Sequence, residues 1–525
     1  MDGTEHDHSY ENGSKSMRFA SQVVNDRVIY TPESLVISPH STSFFPISHF
    51  ISFPFQPRNV TYQPDDQLIQ FIHGRHLLCD EIPYPFAILH EHYLNGYLHM
   101  EAGIQFVDGK STCIRCGSSD SFSFFSCARC QRRDCSYCRN CIVMGKVSSC
   151  SPLYSVPIHT PEVLPSFSLF WNGTLSSGQL EASNAVKSAI VNHRSLLVWA
   201  VCGSGKTEVL FEGLEEAVLQ NKTICIATPR TDVVLELTPR LQQVFPNLIL
   251  SSLYAGHSHP TSRFVISTTH QLIRFKDHFD VMIIDEVDAF PFNHDPSLLY
   301  AVEKARKDHS SLVYLTATPS PSMLKQISRQ ELAYVRIPAR FHGFPLPVPS
   351  FNWIGNWRKE IKKERLPNVF LKWIKEQVRA TKPVLLFLPS IKIIEKVKIL
   401  LLQEDIFCEA VHSEDQERTE KVLRFRRKEL PVLLSSTILE RGITIENISV
   451  GVIGAEDDIF SESALVQIAG RAGRSSAFPD GDVRFFHFGR TKAMVSSVHH
   501  IRQMNKEAEE KGWLFQRSVS GVEKM

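Results

Sequence analysis

The 525-residue sequence contains no uninterrupted apolar run of the roughly 18 residues that a membrane-spanning helix needs. The nearest approach, Leu35 to Phe55, is broken by Pro39, His40, Ser41, Pro46, His49 and Pro54. Charge of one sign is also missing: 57 Lys and Arg stand against 56 Asp and Glu, a net of +1. No global field draws a polyanion, so any nucleic-acid surface has to be local. Residues 1–17 lack both the basic and the apolar part of a secretory leader, and the expectation is a cytoplasmic chain. What is present is ordinary globular composition, 43% hydrophobic and 22% charged, which excludes collagen, coiled-coil and disordered classes. At roughly 150 residues per domain the length predicts three or four domains.

Along the chain, residues 1–25 read as a polar tail and 26–108 as a small mixed domain of short apolar segments among prolines. Residues 109–150 form a Cys-rich module, and 151–169 a connector marked by Pro152, Pro157, Pro161 and Pro165. From 170 to 345 and from 346 to 515, four- to six-residue apolar runs alternate with helical patterns, the cadence of parallel α/β sheets. In the first segment the predicted strands are Leu196 to Val201, Thr223 to Ala227, Phe264 to Ser267, Val281 to Ile284 and Leu312 to Leu315. In the second they are Val384 to Leu388, Phe407 to Val411, Val432 to Leu434, Val450 to Ile453 and Val483 to Phe488.

After the first of these strands comes Ala200-Val201-Cys202-Gly203-Ser204-Gly205-Lys206-Thr207, then a helical pattern from Glu208 to Leu219. Strand, glycine loop and helix start are the context of a phosphate loop. Gly203, Ser204 and Gly205 let backbone N–H groups cradle phosphate oxygens. Lys206 is placed to meet the β and γ phosphates of ATP, and Thr207 to offer a hydroxyl to Mg²⁺. The strand Val281 to Ile284 ends in Asp285-Glu286-Val287-Asp288. Asp285 at a strand tip suits Mg²⁺, a hard cation that takes oxygen ligands, and Glu286 beside it can polarise the attacking water.

Three further strings follow in order: Thr316-Ala317-Thr318, Thr437-Ile438-Leu439-Glu440-Arg441-Gly442-Ile443-Thr444 and Gln467-Ile468-Ala469-Gly470-Arg471-Ala472-Gly473-Arg474. With the phosphate loop and the acidic string they resemble superfamily two helicases and translocases. The resemblance implies two RecA-like parallel-sheet domains in tandem, 170–345 binding ATP and 346–515 C-terminal to it, preceded by the Cys-rich module and the small N-terminal domain. It implies Arg471 and Arg474 as arginine fingers on the γ-phosphate, Gln467 facing the same cleft and Gln179 reading adenine. Thr228-Pro229-Arg230, Ser267-Thr268-Thr269-His270 and His412-Ser413 match by order as strand-contacting segments, where hydroxyls, N–H groups and guanidinium meet phosphates without reading sequence.

Eight of the twelve cysteines fall within residues 113–150, which indicates metal ligation. Cys113-Ile114-Arg115-Cys116 and Cys127-Ala128-Arg129-Cys130 are paired C-x-x-C knuckles, suited to a closed tetrahedral, hence structural, Zn²⁺. Cys135, Cys138 and Cys141 follow at three-residue spacing, so Cys113 and Cys116 can pair either with Cys127 and Cys130 or with Cys138 and Cys141. These seven are the predicted ligands. Cys150 is a weaker eighth candidate outside that set, a second zinc is expected for thiols beyond four, and an iron–sulfur cluster is the alternative. Arg115, Arg129, Arg132, Arg133, Arg139 and Lys146 against Asp120 and Asp134 give a local +4. With Phe122, Phe124, Phe125 and Tyr137 between them, the module reads either as a surface for single-stranded DNA, where bases stack and cations track phosphates, or as a small zinc-held core filled by those aromatics, and the two readings are compatible.

The Cys-rich module ahead of the helicase strings, together with Ile284 to Pro291, Ala339-Arg340-Phe341-His342-Gly343 and Tyr137-Cys138-Arg139-Asn140-Cys141, resembles the ComFA family of late-competence proteins. That resemblance implies an ATP-driven translocase on single-stranded DNA. It would act during uptake of transforming DNA at the inner face of the membrane, with peripheral membrane association, a ComFC-type protein and a membrane DNA channel as partners. Two other readings are a primosomal-type replication-restart helicase and a zinc-dependent DNA-binding scaffold. The first carries its zinc insert within the helicase core, and the second conflicts with intact Lys206, Asp285, Glu286, Arg471 and Arg474.

Overall fold

The structure is a computed structural model that describes residues 16–36, 42–157, 169–256, 262–437 and 445–515. The chain divides into two compact units: Met1–Ser168 with Asn221–Met282 and His294–Ser310, and Leu169–Gln220 with Ile283–Asn293 and Ser311–Met525.

Two RecA-like sheets dominate. The seven-stranded sheet runs in the order Leu250–Leu253, Phe264–Thr268, Ile224–Thr228, Phe279–Asp285, Arg306–Thr316, Ser195–Ala200, Ala333–Ile337. Ser195–Ala200 lies parallel to Arg306–Thr316, with Leu197 opposite Tyr314. The six-stranded sheet runs Ser350–Trp353, Val483–His487, Ser449–Ile453, Val384–Phe387, Val432–Ser435, Cys408–Val411, each pair parallel. Its central strands are apolar throughout because both faces are covered. Leu385, Phe387, Val450 and Val452 enter one core, while Val384, Leu386, Val432 and Leu434 enter the core on the other face. All ten strands expected in the two segments form.

The three strands missed by the sequence reading, Leu250–Leu253, Ala333–Ile337 and Ser350–Trp353, are all sheet edges. An edge strand is covered less completely, so polar residues such as Ser252, Arg336 and Asn352 are tolerated there and hide the apolar signal. The six-stranded sheet, parallel throughout, presents its strand C-termini to one rim, where ligand-bearing loops of open α/β sheets gather.

The N-terminal part is built around its own core of Phe19, Leu68, Phe86, Tyr93, Met100 and Tyr154 together with Cys127, Cys130, Cys135 and Cys150. Part of the expected polar tail is ordered: Phe19–Val24 pairs antiparallel with Arg27–Pro32, and Met17 and Phe19 are buried. Two apolar residues in a polar stretch suffice for this because the core they enter is supplied by distant segments. Residues 1–15 of that tail, and Pro161 and Pro165 of the connector, lie outside the described residues.

Candidate ATP site and cysteine centres

The strand Ser195–Ala200 delivers the loop Cys202–Thr207 at its C-terminal end. Gly203 and Gly205 take φ of +80° and +76°, a region that glycine enters without steric cost. A Cβ on Gly205 would lie 2.2 Å from the Gln179 amide nitrogen, so a side chain there would displace that amide as well as strain the backbone. Ser204 Oγ is buried without a hydrogen-bond partner among the described residues, and Lys206 and Thr207 are half-buried beside it. A loop of two left-handed glycines, an unsatisfied buried hydroxyl and a lysine fits a phosphate group. The chain then winds as a 3₁₀ turn, Glu208–Leu210, before the α-helix Phe211–Leu219, so the first turn after the loop is tighter than the helical pattern suggests.

Gln179 stands in the first turn of the helix Ser177–Val191, where its Oε1 accepts from Ser176 N at 2.9 Å in a capping box. Its Nε2 donates to Ser204 O at 2.9 Å. Both ends of the amide are engaged with the helix cap and the phosphate loop, so in this conformation Gln179 braces the loop.

Asp285 is the last residue of Phe279–Asp285, and its Oδ1 accepts from Glu286 N at 2.8 Å. Glu286 takes φ of +57°, a conformation that costs a non-glycine residue on the order of 1 kcal/mol and clusters at functional sites. Asp288 is buried, accepting from Thr316 Oγ1 at 2.7 Å and Thr318 Oγ1 at 2.8 Å. It also accepts from Ser463 Oγ at 2.5 Å. The Thr-Ala-Thr string thus meets the acidic string directly.

Ser463 and Gln467 are one turn apart on the helix Glu462–Ala469 and share a face. Gln467 Oε1 accepts from Cys202 Sγ at 2.9 Å, so this helix touches the acidic string with one side chain and the phosphate loop with the next. Arg471 continues the spacing beyond the helix end and is 4% exposed. Arg474 Nε donates back to Gly470 O at 3.0 Å. Lys206, Asp285, Glu286, Gln467, Arg471 and Arg474 all belong to the second unit.

Thr228 and Thr269 end and follow strands of the first unit, and their Oγ1 atoms are buried without partners among the described residues. Neither segment caps a helix through a side chain: Arg230 and Thr268 at the cap positions make no such bond. His412 Nε2 faces Glu395 at 3.8 Å. Of the string Thr437 to Thr444, only Thr437 is within the described residues.

The cysteines resolve into two buried groups, Cys113, Cys116, Cys138 and Cys141, and Cys127, Cys130, Cys135 and Cys150. Sulfur separations are 3.7 Å for Cys113–Cys141, 3.5 Å for Cys116–Cys138 and 3.8 Å for Cys127–Cys150. Four thiolates about 2.3 Å from one zinc lie about 3.8 Å apart in a tetrahedron, so each group is compatible with Zn²⁺. The pairing is therefore interleaved, and Cys150, left out of the expected ligand set, completes the second group. The sequence held a signal for this. Cys135 and Cys138 lie on one strand, Arg132–Cys138, and residues three apart on a strand point to opposite faces. Cys127, Cys130 and Cys135 then need a fourth thiol.

The expected +4 field is smaller than its residue count. Arg115 is fully buried, its Nη2 donating to both carboxylate oxygens of Glu81 at 2.7 and 2.6 Å. Arg274 Nε donates to Glu81 Oε1 at 2.7 Å. Burial alone would raise the Glu81 pKa, but the Arg115 and Arg274 guanidiniums hold it below the usual range. Lys304 Nζ donates to Arg115 O and Ile273 O at 2.8 and 2.7 Å, and Tyr300 OH to Ile114 O at 3.1 Å. The first knuckle is thus a docking element within its unit. Arg129 pairs with Asp80 and Arg132 with Asp134, while Lys146 lies 3.4 Å from the Phe125 ring centroid. Arg133, Arg139 and Phe124 remain exposed.

Comparison with known proteins accords with these parts. The family model of the competence protein ComFA N-terminal domain matches residues 60–155. That of the type III restriction enzyme res subunit matches 172–321, and that of the helicase conserved C-terminal domain matches 362–476. The competence protein ComFA of Bacillus subtilis (strain 168) is 47% identical over 444 residues, 84% of this chain and 96% of that protein. The ComFA of Streptococcus pneumoniae (strain ATCC BAA-255 / R6) is 38% identical over 378 residues, 71% of this chain and 86% of that protein. Among solved structures, S. cerevisiae Dbp5 bound to RNA and ADP BeF3 aligns over 65% of this chain and 96% of that chain, at 13% identity and a TM-score of 0.44. Helicase domains of this kind imply ATP and Mg²⁺ as cofactors and nucleic acid as partner, and the chain belongs to the ComFA family of competence-related, superfamily two ATP-hydrolysing DNA helicases.

Proposed function

We propose that this protein is a motor that moves along single-stranded DNA during uptake of transforming DNA, with hydrolysis at the cleft formed by the phosphate loop, the acidic string and the Gln467–Arg474 segment. The observation that carries the reading is the seating of one helix on both halves of that cleft, Ser463 on Asp288 and Gln467 on Cys202. Bound ATP with Mg²⁺ supplies the scissile phosphoanhydride and a neutralising cation. The Gly203–Gly205 backbone cradles phosphates, and Lys206 neutralises their charge. Thr207 and Asp285 hold the cation, and Glu286 orients water. Arg471 and Arg474 stabilise the charge that develops on phosphoryl transfer, a role worth roughly 10³–10⁵ in rate. Closure of the same helix on both strings links occupancy of the site to motion along the strand.

Two observations support strand contact. The unpartnered hydroxyls of Thr228 and Thr269 at strand ends offer sequence-independent phosphate contacts. The exposed Arg133, Arg139 and Phe124 offer a cationic, stacking surface. Family membership supports a ComFC-type protein and a membrane DNA channel as partners, and a place at the inner membrane face. No helix among the described residues is long and apolar enough to cross a membrane, so that association would be peripheral.

Steady-state ATP turnover of the zinc-loaded protein with no polynucleotide, single-stranded DNA, duplex DNA or RNA, at fixed salt, tests the reading. Stimulation by single-stranded DNA alone is expected. Equal stimulation by RNA, a preference for forks, or no hydrolysis in any arm would each overturn it.

A further inference from the structure

Arg340 lies between the last strand of the first sheet, Ala333–Ile337, and the first of the second, Ser350–Trp353. Its side chain is 1% exposed. The guanidinium donates from Nη2 to Ala472 O at 2.8 Å and to Gly470 O at 3.4 Å, and from Nη1 to Gly473 O. Those three carbonyls flank Arg471 and immediately precede Arg474. They also follow the helix Glu462–Ala469 at its C-terminal end, where the helix dipole favours a cation.

Among the described residues no carboxylate pairs with Arg340, and its Nε is buried without a partner. Burial lowers its pKa to about 10, and the nearby Arg474 cation pushes in the same direction. Taking a cation out of water without a counter-charge is unfavourable, and an apolar side chain of similar volume would fill the space without that cost. Packing alone therefore does not account for an arginine here.

The other side of Arg340 is the phosphate loop. The heavy atoms nearest to a Cβ built on Gly203 are all from Arg340, Cγ at 3.7 Å and Cδ and Nε at 3.8 Å. The adjacent backbone joins the same contact, Phe341 N donating to Gly203 O at 3.1 Å. One residue thus lies along the loop that cradles phosphates while holding the turn that carries two arginines.

We propose that Arg340 is a positioning residue for ATP hydrolysis. It fixes the Arg471–Arg474 turn against the phosphate loop so that the two arginines arrive at the phosphates in register, and it transmits displacement of Gly203 to that turn. The proposal rests on the reading of Arg471 and Arg474 as arginine fingers.

The test is a double-mutant cycle in the full-length, zinc-loaded protein, comparing Arg340→Met, Arg340→Lys, Arg474→Ala and Arg340→Met with Arg474→Ala. kcat and KM for ATP are read with saturating single-stranded DNA. Arg340→Met is expected to lower kcat about tenfold or more with KM within about threefold, since a group that acts on the transition state moves kcat more than ground-state binding. Arg340→Lys, which keeps the charge but cannot reach all three carbonyls, should fall between. The double variant should lose less than the product of the two single losses, because Arg340 still holds Arg471 when Arg474 is gone. Wild-type kcat in a folded Arg340→Met, losses that multiply in the double variant, or equal loss of nucleotide affinity and kcat would each overturn the proposal. Wild-type kcat in both Arg471→Ala and Arg474→Ala would remove the finger assignment, and the proposal with it. That pattern is distinct from a slow Arg474→Ala beside a normal Arg340→Met, which overturns the proposal alone. Should Arg340→Met fail to fold, the same cycle with Arg340→Lys decides the question.

Discussion

The thiol of Cys202, in the phosphate loop, donates to Oε1 of Gln467 at 2.9 Å. One helical turn earlier, Ser463 reaches Asp288, which in turn gathers Thr316 and Thr318. A single helix face therefore senses the loop and the acidic string together. Each of these side-chain bonds is worth about 1 kcal/mol net, a factor of about five in an equilibrium constant. Cys202→Ala and Ser463→Ala should each lower DNA-stimulated ATP turnover by up to about fivefold. Because both act through one rigid helix, the double variant should lose less than the product of the two. Independent, fully multiplicative losses would show that the two bonds do not belong to a common closure.

Lys206→Ala and Glu286→Gln are expected to abolish hydrolysis while leaving DNA affinity within about twofold, because both residues face phosphate or water and not the strand. Paired measurements of ATP turnover and of DNA binding by anisotropy check this. Normal turnover in either variant would withdraw the role given to that residue.

The fold was legible where burial is complete and chemistry is local. Val384 to Leu388 or Val450 to Ile453 can be read as strands because both faces are apolar, and the phosphate loop because glycines and lysine stand at fixed offsets. Three of the four edge strands were not legible, since their polar residues answer to solvent, while the fourth, Cys408–Val411, was read from its apolar residues. Arg115 was misread as a surface cation because its partner Glu81 lies 34 residues away in the chain. The role of Arg340 was invisible for the same reason: its carbonyl partners lie 130–133 residues on. Cys150 was left outside the ligand set because it belongs to no C-x-x-C pair, and only the strand Arg132–Cys138, which turns Cys135 and Cys138 to opposite faces, shows that the second group needs it.

Cys150→Ser is expected to reduce bound zinc from two ions per chain to one, read by metal analysis of the purified protein. Cys127, Cys130, Cys135 and Cys150 sit in the same core as Phe19, Leu68 and Tyr93, so loss of that ion should also loosen the segments packed on it. Structural zinc sites supply roughly 10–16 kcal/mol of folding free energy in small fingers. Protease should therefore cut the N-terminal part of Cys150→Ser first and leave the helicase sheets intact. Two zinc ions in that variant would return Cys150 to a packing role.

Glu81→Gln removes the carboxylate that accepts from both Arg115 and Arg274. Arg115 then becomes a buried guanidinium without a counter-charge, left with Met144 O, Gly145 O and the single amide oxygen that the substitution retains, and breaking a buried ion pair in this way costs up to about 3–5 kcal/mol. The sign with pH follows from the depressed pKa of Glu81. The wild-type contribution is complete above the unfolded carboxylate value of about 4.3 and is lost as pH falls through the folded one. Thermal or denaturant unfolding at neutral pH should therefore read the full difference, and the gap between Glu81→Gln and wild type should narrow in acid. A constant gap across that range would mean that charge pairing is not what Glu81 contributes.

The remaining test concerns where the Cys-rich module meets DNA. Arg132 is exposed but bidentate to Asp134, Nε at 2.8 Å and Nη2 at 2.7 Å, so its charge is locally balanced and contributes little net counterion release. Arg129 is similarly paired with Asp80. Arg133 and Arg139 are exposed without such partners among the described residues. Removing one cation that meets a phosphate should flatten the slope of log K against log salt by about 0.7 on a single strand. Arg133→Ala with Arg139→Ala should therefore reduce the slope by about 1.4, whereas Arg132→Ala should leave it nearly unchanged. Phe124→Ala, which removes a stacking face that is 72% exposed, should weaken binding by about 1–3 kcal/mol at every salt concentration without altering the slope. Titrations of a short oligonucleotide at four or five salt concentrations separate these effects. An unchanged slope in the double variant would move the strand away from this surface and onto the helicase sheets alone.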